Sequence, residues 1–158
     1  MIKTTYFDVF ERSGWPEPGQ LAPFFLAPKG NEWSYHGGND SWGLDGQGLY
    51  GTENLARADR VNVHLYMIGN PVHGVYLQYD KWDGRTKKKE SYVCKGDLGR
   101  LREFVRSLHG TPLSVGLFIP FAEAWNAIRE FIETDGELPK SIEWVASRDL
   151  PAEAFPDP

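Results

Sequence analysis

The sequence predicts an α+β fold: a single domain over residues 1–158, with an antiparallel β-sheet built as a meander and two helices packed on one face. Three observations predict it. Val61, Val63, Leu65 and Met67 alternate with the residues between them, the period-two pattern of a half-buried strand. Asp83-Gly84 separates two strand-like runs, a strong hairpin signal. Phe121, Trp125, Ile128 and Ile132 recur at helical spacing behind Pro120, a residue suited to a first helical turn.

The elements follow in order. Ile2 to Phe10 is rich in β-branched and aromatic residues and reads as a first strand. Residues 11–20 hold Gly14, Pro16, Pro18 and Gly19 and read as a loop. Pro23 to Ala27 is a short apolar run that reads as a buried strand. Residues 28–48 are mostly Gly, Asn, Asp and aromatics, a long loop with room for a short strand at Trp33–His36. Loops of that length are uncommon and often functional. Val61 to Ile68, Val72 to Tyr79 and Thr86 to Cys94 form the meander. The lysines at 87, 88 and 89 suit an exposed edge. Asp97 caps a predicted helix to Leu108, with Leu98, Leu101, Val105 and Leu108 as its apolar face and Gly110 as its stop. Pro112 to Ile119 is a strand-like link, the second helix runs from Pro120 to Gly136, and Ser141 to Val145 is a last short strand. The tail at 146–158 contains three prolines and reads as extended over the surface.

Composition narrows the function. The chain has 158 residues, 14% aromatic, with six Trp, 17 Gly and 11 Pro. This suits a turn-rich sheet, or a surface that binds through rigid aromatic anchors. No apolar run approaches the ~18–20 residues of a membrane span, and the first residues lack the pattern of a signal peptide. A single cysteine, Cys94, permits no intramolecular disulfide and no zinc cluster. A reducing cytoplasm is the expected location. The net charge of −5 argues against direct nucleic-acid binding, whose affinity comes largely from phosphate neutralisation. Residues 85–106 carry eight bases against three acids. Without interleaved aromatics they read as a solvated strand edge and helix face.

No motif announces catalysis. His36, His64, His73 and His109 form no metal pair at helical spacing, and His64 lies opposite in phase to Val63 and Leu65. Cys94 reads as a small buried hydrophobe. No nucleophile elbow and no phosphate-binding glycine loop is present. The expectation is a non-enzyme without cofactor or metal. Asp40, Asp45, Asp80 and Asp83 do lie among Trp33, Trp42 and Trp82. A second reading is therefore a carbohydrate-binding or glycan-processing domain, in which carboxylates work beside aromatic platforms.

Residues 119–144 read IPFAEAWNAIREFIETDGELPKSIEW. Ile119-Pro120, a helix carrying Trp125 and Phe131, the turn Gly136-x-x-Pro139, and Ile142-Glu143-Trp144 resemble the signature of the class-one immunity proteins of bacterial polymorphic toxin systems. As residues, these are core and turn positions, and they point to a fold before a site. The resemblance implies a cytoplasmic protein that binds a cognate toxin domain one to one and keeps it inactive in the producing cell. It implies a toxin of the zinc-dependent deaminase kind, which acts on cytosine or adenine in nucleic acid. Occlusion of the toxin's active site is the implied mechanism, with neither nucleic acid nor membrane bound by this chain.

The expected partner-binding residues are Trp33, Tyr35, Asp40, Trp42 and Asp45 in the long loop, with Asp80, Trp82 and Asp83 at the hairpin turn. They combine aromatic anchors with acids on segments poorly suited to a core. Trp125 and Trp144 are assigned to the core.

Overall fold

The alternation at 61–67 is realised in the middle of a seven-stranded antiparallel sheet. A computed structural model describes residues 1–28, 31–33 and 39–157. Its elements are β1 (Ile2–Tyr6), α1 (Pro18–Leu26), β2 (Ser41–Gln47), β3 (Val61–Asn70), β4 (Gly74–Asp83), β5 (Lys88–Cys94), β6 (Phe104–Arg106), β7 (Pro112–Ser114), β8 (Phe118–Ile119), α2 (Phe121–Glu133) and β9 (Trp144–Ala146). The sheet order is β1-β2-β3-β4-β5-β9. The two-residue β8 also pairs with β4, beyond the end of β5. β6 and β7 form a separate hairpin.

The inner face of the sheet carries Trp42 and Leu44 from β2, Val63, Leu65 and Met67 from β3, and Leu77 and Tyr79 from β4. All are buried against Leu21 and Phe25 of α1 and Trp125, Ile128 and Phe131 of α2. Both helices thus lie on one face, as the fold class requires.

One of those helices comes from an unexpected stretch. α1 forms where a loop and a short strand are expected. Pro18 sits in its first turn, where a missing N–H costs nothing. The Glu17 N–H donates to Gln20 Oε1 at 2.9 Å across the N-terminus. Leu21 and Phe25, one turn apart, bury the helix. Pro28 ends it, because the residue before a proline is pushed out of helical space, and Ala27 is extended.

The segment 97–108 is not a helix. Asp97 caps only a single turn at Leu98–Arg100, its carboxylate accepting from the Gly99 N–H at 3.0 Å. The chain then turns into the β6–β7 hairpin. Leu98, Phe104 and Leu108 are exposed, so no helical stripe is being buried. Val105 pairs with Leu113 instead. Leu113, Leu117 and Phe118 pack on Ile68, Tyr76 and Val93, making a second core on the outer face of the sheet. The tail is also anchored: it makes two short turns, with Leu150 against the second core and Ala154 buried.

α2 matches its sequence reading closely. Ala124, Trp125, Ala127, Ile128 and Phe131 are buried. Its end is closed by the Gly136 N–H donating to Phe131 O at 2.9 Å, with Asp135 left-handed at φ +55°. β9 returns to pair with β5. The Trp144 indole is half-buried, donating to Pro139 O at 2.8 Å.

Candidate functional site: the open outer face of the sheet

The expected anchors separate into two groups. Trp33 and Trp42, expected on a surface loop, belong to the core. Their rings stack with centroids 4.6 Å apart, and Trp42 is 5% exposed. The loop reading fails because 41–47 is β2, an interior strand between β1 and β3. Gly43 and Gly46, which suggested a loop, are seats for neighbouring rings. A Cβ on Gly43 would lie 3.2 Å from the His64 ring, and one on Gly46 would lie 3.2 Å from the Trp15 indole. Asp40 is also buried, its carboxylate accepting from the Leu108 N–H at 2.9 Å. It fastens the β6–β7 hairpin to the sheet, so it is a structural acid and not a free anchor. Tyr35 lies outside the described residues.

Asp45, Asp80 and Trp82 project from the outer face. Strand register brings Asp45 of β2, His64 of β3, Asp80 of β4 and Ser91 of β5 into one cross-strand row. Residues directly opposite have Cβ atoms roughly 4.5–5.5 Å apart. His64 Nδ1 is 3.5 Å from Asp45 Oδ1. Asp80 is held by hydrogen bonds from the Ser91 hydroxyl and from Gln78 Nε2, the latter at 2.9 Å. Gln78 in turn accepts from the Tyr76 hydroxyl at 2.7 Å. Trp82 is half-buried, and its indole N–H donates to Ala58 O at 3.0 Å. Asp83 faces Arg85, which donates two hydrogen bonds to it at 3.0 Å. Those bonds hold its carboxyl below the usual range.

Beside the row runs a groove of about 700 Å³, lined by Tyr6, Arg12, Ser41, Gly43, His64 and Tyr66 among others. Tyr6 is 42% exposed. Its ring meets the His64 ring edge-on at 6.4 Å, and the Arg12 guanidinium lies 5.3 Å from it on the rim. Sequence reasoning missed Tyr6, His64 and Tyr66 as site residues. Their signal was the phase of β3, since His64 and Tyr66 fall opposite to the buried Val63 and Leu65.

The rest of the titratable map is structural. Four of the eight bases of 85–106 are paired with acids: Lys87 with Asp59 at 2.8 Å, Arg100 with Glu103 at 2.8 Å, Arg85 with Asp83 at 3.0 Å and Lys95 with Glu143 at 3.7 Å. Among the described residues, no group of three or more His, Cys, Asp or Glu could hold a metal ion. Among the described residues, no helix is long and apolar enough to cross a membrane.

Cys94 is fully buried. Its thiol donates to Leu117 O at 3.1 Å and accepts from the Leu77 N–H at 3.2 Å, joining β4, β5 and the second core. Burial pushes the thiol up to about 12. The raised value means that the folded state resists ionisation. Its contribution is complete below the unfolded value near 9 and is lost as pH rises toward about 12. Each pH unit in that window removes up to about 1.4 kcal/mol. Urea unfolding at about pH 8 and pH 10 is expected to show this loss, with a smaller loss in Cys94→Ala. Ellman's reagent should label Cys94 only after unfolding. Rapid labelling of the native protein would contradict the packing.

Compared with known protein families, with curated proteins and with solved structures, the chain matches none.

Proposed function

We propose that this chain is an immunity protein: it binds one copy of a cognate bacterial toxin domain in the cytoplasm of the producing cell and inhibits it by covering the active site. The toxin is a zinc-dependent deaminase acting on cytosine in nucleic acid. What supports the reading is the resemblance of residues 119–144 to the class-one immunity proteins. Those residues run from the end of β8 through α2 and the turn after it to Trp144, the first residue of β9, and α2 packs on the inner face. They leave the uncovered half of the outer face available for a partner. Overall acidity adds support, because a protein that grips phosphates presents Lys and Arg. The carbohydrate reading loses two of its three indole platforms, since Trp33 and Trp42 are buried.

Co-expression with the product of the adjacent upstream gene tests the proposal. The expected outcome is that the gene product alone is toxic, and that the pair survives and elutes as a one-to-one complex with no deaminase activity. A neighbour that is harmless alone, or that kills equally in the presence of this protein without binding it, would overturn the reading.

A further inference from the structure

The outer face of the sheet is treated in two ways by the fold. Over β3, β4 and β5 toward Ile68, Tyr76 and Val93, the chain covers it with its own residues 113–118. Over β1, β2 and the other half of β3 and β4, it leaves Tyr6, His64, Asp45 and Asp80 without such a cover, and Tyr66 stands at the boundary, packed against the second core. These side chains are half-buried or exposed, and they are not the small polar set of an ordinary solvated face.

We propose that this open half is the surface on which the partner protein docks, and that it receives an arginine-bearing basic segment of that partner at the Asp45–His64–Asp80 row. The identity of the partner rests on the immunity reading. The chemistry of the surface rests on charge and shape. The polar partners of Asp80 are Ser91 and Gln78, and those of Asp45 are Gln47 and His64. None of the four is a lysine or an arginine, so neither carboxylate is tied to an ammonium or a guanidinium in these contacts. Arg12 and Asp8 both line the groove, with the Arg12 guanidinium over the Tyr6 ring. A guanidinium suits this site better than an ammonium. Its planar fork matches a carboxylate with two parallel hydrogen bonds, and guanidinium faces stack on tyrosine rings, as Arg12 already does on the Tyr6 ring. Gly43 sets the depth, since a side chain there would meet the His64 ring that lies across it. Inhibition follows by competition: an arginine held by Asp45 and Asp80 no longer holds a phosphate.

The test compares wild type with Asp45→Asn/Asp80→Asn, and with Glu133→Gln on the far side of the molecule as a control. The ligand is the adjacent gene's product carrying an inactivated catalytic site. The double variant should remain folded by circular dichroism, bind about tenfold or more weakly, and lose part of the salt dependence of association. Glu133→Gln should bind as wild type. Amide shifts are also followed by NMR during titration with the peptide acetyl-Arg-Gly-Arg-Gly-Arg-amide, with its glutamate counterpart as the negative probe. The arginine peptide is expected to move residues 43–45, 64–66 and 78–80. Tight toxin binding by the folded double variant, with those amides silent, would overturn the docking surface and leave the immunity reading standing. Peptide shifts at those amides without any binding of the neighbouring gene product would remove the immunity reading and keep the surface. Failure of both would remove both.

Discussion

Trp42→Ala is expected to lower the unfolding free energy by about 3–5 kcal/mol, the usual cost of cutting a large aromatic from a packed core. The indole is the hub of an aromatic cluster. Its ring lies 4.6 Å from Trp33, 3.9 Å from Phe7, 5.1 Å from Phe24 and 6.5 Å from Phe25 between centroids. These rings come from β1's end, from α1 and from the segment before β2, so the cavity opens where three parts of the chain meet. Large rings surrounding it cannot collapse without leaving their own contacts. Domains of this size hold about 5–15 kcal/mol in total, so the variant approaches the threshold for staying folded. Urea unfolding followed by far-ultraviolet circular dichroism gives the number without relying on the remaining tryptophans. Trp82→Ala is the matched comparison: its indole is half-buried and makes one hydrogen bond to Ala58 O. Its expected loss is about 1 kcal/mol. Equal losses in the two variants would contradict the assignment of Trp42 to the core and Trp82 to the outer face.

Gly74→Ala is expected to cost about 2–5 kcal/mol, from a strained backbone and a steric clash together. Gly74 opens β4 with φ +96°, and an added Cβ would lie 2.2 Å from Ile119 O. The backbone there cannot swing away. Asn70 Oδ1 accepts from the Val72 and His73 N–H groups at 2.8 and 3.0 Å, which fixes the β3–β4 turn. On the other side, Val75 pairs with Ile119 of β8, immediately before α2. The methyl therefore pushes β4 away from the start of α2. Gly51→Ala separates the two causes. Gly51 has φ +75° but nothing within 4 Å of an added Cβ, so it carries only the conformational cost, about 1 kcal/mol. Thermal melts rank them, because a domain of about this length shifts by roughly 2–4 °C per kcal/mol. A Gly74→Ala melt no lower than that of Gly51→Ala would mean that the β4–β8 approach is looser than described.

Several elements were legible from residues alone, and the reason is the same in each. β3, β4, β5 and α2 have an apolar face that repeats at the period of their backbone, and Gly84 sits in the β4–β5 turn as expected, although Asp80, Trp82 and Asp83, expected in that turn, are paired residues of β4. The misread elements each carry residues whose usual meaning was overridden by packing. α1 contains prolines and a glycine, but Pro18 stands in the first turn, and Leu21 with Phe25 supplies enough buried surface to carry Pro23 inside the helix. β2 carries two glycines that are there to admit the rings of His64 and Trp15. In 97–108, four apolar residues at helical spacing were outweighed by a hairpin that buries Val105 and Leu113 over the sheet. The site divides on the same line. Asp45, Asp80 and Trp82 were nameable as residue types, but what joins Asp45 and Asp80 through His64 is register across three strands. Register depends on turn lengths and on the buried faces together, and no single window of the chain contains it.

The order of strands along the chain also sets an order of events during synthesis. β1 to β5 lie side by side in the sequence in which they leave the ribosome, so the sheet can assemble as a growing meander from neighbouring segments. The helix that covers much of its inner face starts only at Phe121, after more than two-thirds of the chain has been made. Until then Val63, Leu65, Leu77 and Tyr79 have no α2 to lie against. A nascent chain stalled between residues 95 and 120 would carry a preformed sheet with an oily face open to solvent. Translation pauses or truncations in that interval should yield insoluble fragments, whereas chains extended through β9 and the tail should not, because α2, Trp144 and Leu150 are then in place over both cores.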